Sequence, residues 1–273
     1  LDEHVGRDGR LRGRWSGSDG GAGRMTAQAG LHSLPRELRV AVRAEPGMRL
    51  VRADLGQVEP RVLAAVSGDR ALADAAGESD LYAPVAAQLG CDRSVAKVAV
   101  LAAMYGQTSG AAGEALKGME RSYPVALRYL AAAETAGRAG QPVRTFGGRT
   151  VPVWGLDEVP PEASEGAQRA YRSAIAARGR FTRNAVVQGA AAELFKAWTA
   201  TVRSRLARTR AGELVLCLHD ELLLHVRADA AEDVAAGIVE DLDATAARWR
   251  RPGSPPARFV ADVSVVDAWS DAK

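Results

Sequence analysis

The chain has 273 residues, 47% hydrophobic and 25% charged, with a formal net charge of +3. That length can bury a substantial core, as one large domain or two smaller ones. Two cysteines, Cys91 and Cys217, exclude a disulfide framework and point to a reducing, cytoplasmic compartment, and no apolar run has the length of a membrane span or the form of a signal peptide.

Residues 1 to about 20 are rich in Gly, Arg and Asp and read as an extended or hairpin segment with little packing of its own. The first residue is Leu1 rather than Met, which fits an excised or processed piece. Leu38-Arg39-Val40-Ala41-Val42 alternates as a strand. Met48-Arg49-Leu50-Val51-Arg52-Ala53 predicts a second short strand, ending in the carboxylate of Asp54. A helix is expected from residue 57 to about residue 66, with Pro60 tolerable because it lies in or near the first turn. Asp54 therefore has two readings: the N-cap of that helix, or one arm of a metal site.

From residue 72 to about 178 the pattern is helical, interrupted at Pro84, Gly90, Gly110, Gly118 and Pro160-Pro161. Within it, Asp92-Arg93-Ser94-Val95-Ala96-Lys97-Val98-Ala99-Val100-Leu101-Ala102-Ala103-Met104-Tyr105-Gly106 predicts an Ala-rich helix stopped by Gly106. Arg93, Lys97, Leu101 and Tyr105 recur every four residues and form one stripe. Either the two cations snorkel beside a core helix, or the stripe grips phosphate. Residues 144–152 suit a small hairpin bent at Gly147-Gly148. A long amphipathic helix is expected over 182–205, with Arg180, Asn184 and Gln188 at the same four-residue spacing. That stripe is either a solvated face or a set of contacts to phosphate, sugar and base edges. From Gly166 to Gly212 there are ten Lys or Arg residues against one acid, Glu193, while the stretch after Gly212 is acidic. The basic tract suits nucleic-acid phosphates, or merely a solubilising surface.

His219-Asp220-Glu221 sits between two apolar runs, Leu214-Val215-Leu216-Cys217-Leu218 and Leu222-Leu223-Leu224-His225-Val226. This predicts a buried β-hairpin whose tight turn carries two carboxylates, and buried carboxylates need a partner or a cation. The remaining reading is a solvated hairpin tip. Residues 232–250 read as a helix, Pro252 to Pro256 as a loop, and 258–266 as a final strand. Strands near both ends with helices between predict an α+β fold: an antiparallel sheet assembled from distant segments, with a helical insertion.

These residues carry a resemblance. The sequence resembles the polymerase domain of family A DNA polymerases, the polymerase I type. Asp54-Leu55-Gly56-Gln57-Val58-Glu59-Pro60-Arg61 is similar to that family's motif A, an Asp-Tyr-Ser-Gln-Ile-Glu-Leu-Arg pattern. The run from Arg93 to Gly106 resembles motif B, and His219-Asp220-Glu221 motif C. Gly23-Arg24-Met25-Thr26 with Leu34-Pro35, Thr145-Phe146-Gly147-Gly148-Arg149, and the run from Asn184 to Ala191 resemble lesser landmarks in the same order. The implied architecture is a right-hand polymerase fold: an antiparallel palm sheet with a helical fingers insertion, lacking the thumb. Residues 1–71 and 179–273 would form the palm and 72–178 the fingers. The thumb lies N-terminal in the family and would belong to the same longer chain.

The resemblance also implies roles and partners: primer-template DNA, deoxynucleoside triphosphates, two Mg²⁺ ions for which Mn²⁺ can substitute, no membrane, and a place near the nucleoid. Asp54 and Asp220 would bridge the ions with the Leu55 carbonyl as a backbone ligand, and Glu221 would tune the site. Arg93 and Lys97 would hold the β and γ phosphates, with Lys97 able to protonate departing pyrophosphate. Glu59 resembles the gate against a ribose 2′-hydroxyl. Gln57 and His219 would border the nucleotide and primer terminus, and Tyr105 the templating position. Arg24, Arg180, Asn184 and Gln188 would follow the minor groove and template. Departures stand at Leu55-Gly56, where the family has Tyr-Ser, at Pro60, at Asp92, and at Leu101, where it has Phe or Tyr against the incoming nucleotide. Two other functions fit parts of the pattern: a catalytically lapsed DNA-binding module, and a nuclease or other two-metal phosphoryl transferase.

Overall fold

In a computed structural model of the chain the described residues are 5–18, 21–27, 34–107, 111–218 and 220–272, without the side chains of 36 and 111–115. Along the chain, β1 (Trp15–Ser16) and β2 (Thr26–Ala27) precede β3 (Met48–Gly56). The helices α1 (Val58–Ser67), α2 (Arg70–Ala75), α3 (Tyr82–Leu89), α4 (Arg93–Tyr105), α5 (Ala111–Ser122) and α6 (Pro124–Arg138) follow. A small hairpin, β4 (Val143–Arg144) and β5 (Thr150–Val151), leads to α7 (Glu165–Thr209). The hairpin β6 (Gly212–Leu218) and β7 (Glu221–Arg227), α8 (Ala231–Ala246) and β8 (Val260–Val266) complete the chain order. These elements form two compact units, Leu1–Val58 with Ala192–Arg248 and Phe259–Lys273, and Glu59–Ala191 with Trp249–Arg258.

The first unit is built on a four-stranded antiparallel sheet in the order β6-β7-β3-β8. Period-two alternation along β3 separates two faces. Val51, Ala53 and Leu55, with Leu222, Leu224 and Val226 of β7, are all 2% exposed or less. Such burial contributes roughly 1.5–3 kcal/mol per large aliphatic side chain, and it fixes the register, because a one-residue slip would turn this set outward. α8 packs against β3, β7 and β8, and the Trp198 indole of α7 donates to the Ile238 carbonyl at 3.0 Å. On the other face, Leu50, Leu216, Leu218, Leu223 and Trp269 cluster with Ala27 and Leu34. Arg52 and Asp54 occupy the same alternating face as Leu50.

The second unit is helical, and single polar side chains tie its ends together. Arg61 is fully buried and donates to four carbonyls, those of Ala76, Glu78, Ser79 and Arg258, at 2.7–2.9 Å. Asp69 caps two helices: Oδ1 accepts from the Leu72 amide of α2 at 3.1 Å, and Oδ2 from the Val125 and Ala126 amides of α6 at 3.0 Å. Arg178 caps the far end of α6 through the Gly137 and Arg138 carbonyls at 2.7 and 2.8 Å. The β4–β5 hairpin turns at Gly147-Gly148 with Gly148 at φ 93°, as expected from the paired glycines.

Several elements differ from the sequence expectation. Residues 38–42 are not a strand: Arg36–Ala41 is a 3₁₀ helix, with the Leu38 amide bonded to the Pro35 carbonyl and the Val42 amide to Arg39. Leu38 and Val40 are exposed, so no partner strand rewards the alternation. The long helix begins at residue 165, not 182, and runs 45 residues through Gly166, Gly179 and Gly189. Gly179 survives inside it because a Cβ there would lie 2.6 Å from Arg138 Cγ and 3.1 Å from the Glu134 carbonyl, so glycine permits close approach of α6. Pro84 lies in the first turn of α3 and Gly118 inside α5, so neither interrupts a helix. Gly110 lies outside the described residues.

Asp69→Ala strips three helix-end amides, two of them buried, of their shared acceptor. The expected loss of unfolding free energy is about 2–4 kcal/mol, read from the urea midpoint at unchanged slope. A loss under about 0.5 kcal/mol would show that these caps do not hold α2 to α6.

Candidate active site

In the first unit the sheet register brings acids from three strands into one row. Asp54 of β3 lies opposite Glu221 of β7 and opposite Asp262 of β8. Directly opposed residues project from the same face, so three carboxylates separated widely in sequence become neighbours. The β6–β7 turn adds a fourth. Leu55 donates its amide to the Asp220 carbonyl at 3.0 Å, pinning the turn to the end of β3. In an antiparallel strand a residue's N–H and C=O point to the same side, so the Leu55 carbonyl also faces that turn. Asp54 is thus a strand residue four positions before α1, and its reading as the helix N-cap is set aside. The corner between them is Gln57, in the left-handed region at φ 55°.

One cation sits among these acids. A terminal nitrogen of Arg52 donates to Asp54 Oδ2 at 2.7 Å and to Glu221 Oε2 at 3.1 Å, and the other reaches Asp262 Oδ2 at 3.3 Å. The Trp269 indole N–H donates to the second oxygen of Glu221 at 2.7 Å. Glu221 is thereby held on both oxygens. Burial pushes the Asp54 carboxyl up to about 6, with Asp220 adding to the rise, Arg52 opposing it, and Glu221 and Asp262 contributing further. A carboxylate that resists ionisation, first through burial and then through the acids beside it, marks a candidate functional site. Sequence reasoning missed Arg52, Asp262 and Trp269. His219 lies outside the described residues.

In the second unit α4 presents its stripe as expected: Arg93 and Lys97 are exposed, Leu101 and Tyr105 half-buried. Asp92 marks the helix start and Gly106, at φ 68°, its left-handed stop. Arg93 forms a two-pronged pair with Asp80, Nε to Oδ2 at 2.5 Å and Nη2 to Oδ1 at 3.2 Å, and lies 5.6 Å from the Tyr82 ring. At the other end of the stripe, the Tyr105 hydroxyl donates to Glu59 Oε2 at 3.2 Å, and Gln188 Nε2 donates to that hydroxyl at 3.4 Å. The structure therefore joins Glu59, Tyr105 and Gln188 in one chain of polar contacts. Of the other α7 candidates, Arg180 is exposed, while Asn184 has a buried Oδ1 with no hydrogen-bond partner among the described residues. Back in the first unit, Arg24 is half-buried in a segment held by Lys196, which donates to the Gly23 carbonyl at 2.6 Å.

The basic tract is less available than its charge count implies. Arg183 is buried, donating to the Ala103 carbonyl at 2.6 Å and pairing with Glu134 at 3.0 Å, and Arg178 is buried as a helix cap. Arg205 pairs with Asp241 at 2.8 Å and Glu240 at 3.1 Å.

Comparison with known proteins bears on the family and the fold. A sequence model of DNA polymerase family A matches residues 2–252. The chain is 32% identical to DNA polymerase I of Chloroflexus aurantiacus over 86% of this chain and 28% of that protein. It is 31% identical to the thermostable DNA polymerase I of Thermus filiformis, over 87% of this chain and 30% of that protein. The chain thus spans under a third of the length of these relatives. Its fold is similar to the POL domain of Pol1 from M. smegmatis, solved in complex with DNA primer-template and dNTP. The TM-score is 0.81 at 22% identity, covering 99% of this chain and 50% of that one.

Because Asp54 titrates near 6 when folded against an ordinary 3.8, its ionised form opposes folding above pH 6, and the cost fades as pH falls toward 4. Asp54→Asn is therefore expected to stabilise the chain by about 1–2 kcal/mol at pH 8 in chelator, and by nothing near pH 4. Urea unfolding at the two pH values measures it. Destabilisation at pH 8 would mean that the Arg52 pair outweighs the crowding.

Proposed function

The chain belongs to DNA polymerase family A, and on that premise we propose that it extends a primer 3′ end on a DNA template with deoxynucleoside triphosphates. The observation that carries this reading is the joint presence of a crowded acid row on the sheet and a cationic stripe on α4. A module that only binds DNA needs cations and not the acids. A nuclease needs the acids and has no use for the α4 stripe. The architectural proposal is that residues 72–178 are the fingers, with palm segments at 1–71 and 179–273.

The residues fit divalent cations by donor chemistry. Asp54 and Asp220 supply hard carboxylate oxygens, Asp220 close enough to raise the Asp54 carboxyl, and the Leu55 carbonyl faces the same turn. Mg²⁺ accepts one or two protein carboxylates and keeps water and substrate phosphate in its remaining positions. When bound, two such ions supply Lewis-acid activation of the primer oxygen and charge neutralisation at the leaving pyrophosphate. Mn²⁺ has the same ligand preferences and substitutes.

The chain's own groups do the positioning. Arg93 and Lys97 offer a donor fork and a mobile point charge to the β and γ phosphates, and Lys97 carries a proton that the departing pyrophosphate can take. Arg93 must first exchange its exposed pair with Asp80 for phosphate, a change that costs little because such pairs are weak. Glu59, steadied by the Tyr105 hydroxyl, puts a carboxylate where an extra ribose hydroxyl is disfavoured. Gln57 and His219 border the nucleotide and primer terminus, and Tyr105 the templating base. Glu221 is fixed by Arg52 and Trp269 and acts as a positioning residue. Arg24, Arg180, Asn184 and Gln188 follow the duplex.

Primer extension with Mg²⁺ tests the reading. Native chain should add nucleotides and Asp220→Ala should lose at least about a thousandfold in rate, as expected when electrostatic stabilisation of the transition state is removed. Retained DNA binding with no extension by the native chain would favour the lapsed module, and cleavage without triphosphate the nuclease. Leu101 lacks the ring that stacks on the nucleotide, so Leu101→Phe should lower the nucleotide KM by roughly tenfold. An unchanged KM would remove Leu101 from the binding surface.

A further inference from the structure

The acid row carries its own cation, and its placement has a consequence beyond holding the sheet together. Arg52 is two residues from Asp54 on β3, so alternation puts it on the same face. Its side chain is only 12% exposed, and its two terminal nitrogens contact Asp54, Glu221 and Asp262, one acid from each of three strands. Among the described residues, no three His, Cys, Asp or Glu side chains are arranged to hold one metal ion. The acids converge instead on the guanidinium.

We infer that Arg52 is a resident counter-ion of the acid row, which a divalent cation must displace from Asp54, and that it thereby sets the metal affinity of the site. The inference rests on the reading of Asp54 and Asp220 as the metal-holding pair. A shielded unit charge within hydrogen-bond distance of Asp54 lowers the negative potential a metal would experience and occupies one of the oxygens it would use. Without that charge, four acids would face one another across the sheet and its turn. Arg52 therefore favours the metal-free fold and opposes metal uptake at the same time. Metal binding becomes an exchange of one cation for another, in which the guanidinium swings from Asp54 toward Glu221 and the exposed Asp262, whose side chain is 68% accessible.

Direct Mn²⁺ titration, followed by electron paramagnetic resonance on the full chain without DNA or nucleotide, tests this. Arg52→Gln should bind Mn²⁺ at least tenfold more tightly than the native chain. Arg52→Lys, which keeps the charge, should stay within about threefold of native. In chelator the Gln variant should melt below the native chain, and Mn²⁺ should raise its Tm by more than it raises the native Tm. Equal or weaker Mn²⁺ affinity in a folded Gln variant overturns the inference, as does a Lys variant that binds tenfold tighter than native. The Lys arm decides the matter if the Gln variant does not fold in chelator. If neither the native chain nor the Gln variant takes up Mn²⁺ at millimolar concentration, the reading of the metal pair falls, and this inference with it. Measurable but equal affinities sink the inference alone.

Discussion

β3 is paired on both sides, and that double pairing is the constraint from which the candidate chemistry follows. With β7 along one edge and β8 along the other, every residue of the strand from Leu50 to Asp54 has a fixed opposite number. The fully buried apolar face makes any other register costly. A site composed on such a row inherits the precision of the ladder, because strand pairing fixes the backbone positions of Asp54, Glu221 and Asp262. The Leu55–Asp220 backbone contact extends the same precision to the hairpin turn, where a freely hinged loop would forfeit it.

The arginines divide into two classes that net charge does not distinguish. Arg61, Arg178 and Arg183 are interior fasteners, their guanidinium groups directed mainly at main-chain carbonyls of helix ends and loops. A guanidinium suits this task because its planar fork reaches several acceptors at once. Arg180 and Arg93, by contrast, remain at the surface. A count of cations along the chain measures the first class as readily as the second, so the basic stretch between residues 166 and 212 overstates the field offered to a polyanion. Arg183 also grips the carbonyl of Ala103, two residues before the end of the helix that displays Lys97 and Tyr105.

Much of this was legible in the sequence, where the signal was local. The motif hairpin, the strand ending at Asp54 and the helix over residues 93–105 each carry a periodicity and a stop residue within a short window. The resemblance to family A then supplied roles that no window could. What escaped was non-local or compensated. Asp262 stands beside Asp54 only through a strand pairing that spans most of the chain, and Trp269 meets Glu221 through the fold of the C-terminal segment. The N-terminal part of α7 was not anticipated, and the close contact that suits Gly179 comes from a different helix. Arg52 was the avoidable omission. Strand alternation alone places it on the face of Asp54, and a cation beside a proposed metal ligand invites attention.

Gln57 ends β3 and opens the way to α1 while holding a backbone conformation that suits glycine. An L-side chain there carries a strain of roughly 1–2 kcal/mol, which the flanking strand and helix must absorb. The chain could relieve that burden by giving up the amide group. That it keeps a glutamine at this bend makes the corner a tense joint, and a Gln57→Gly exchange would trade whatever the side chain contributes for a more relaxed backbone.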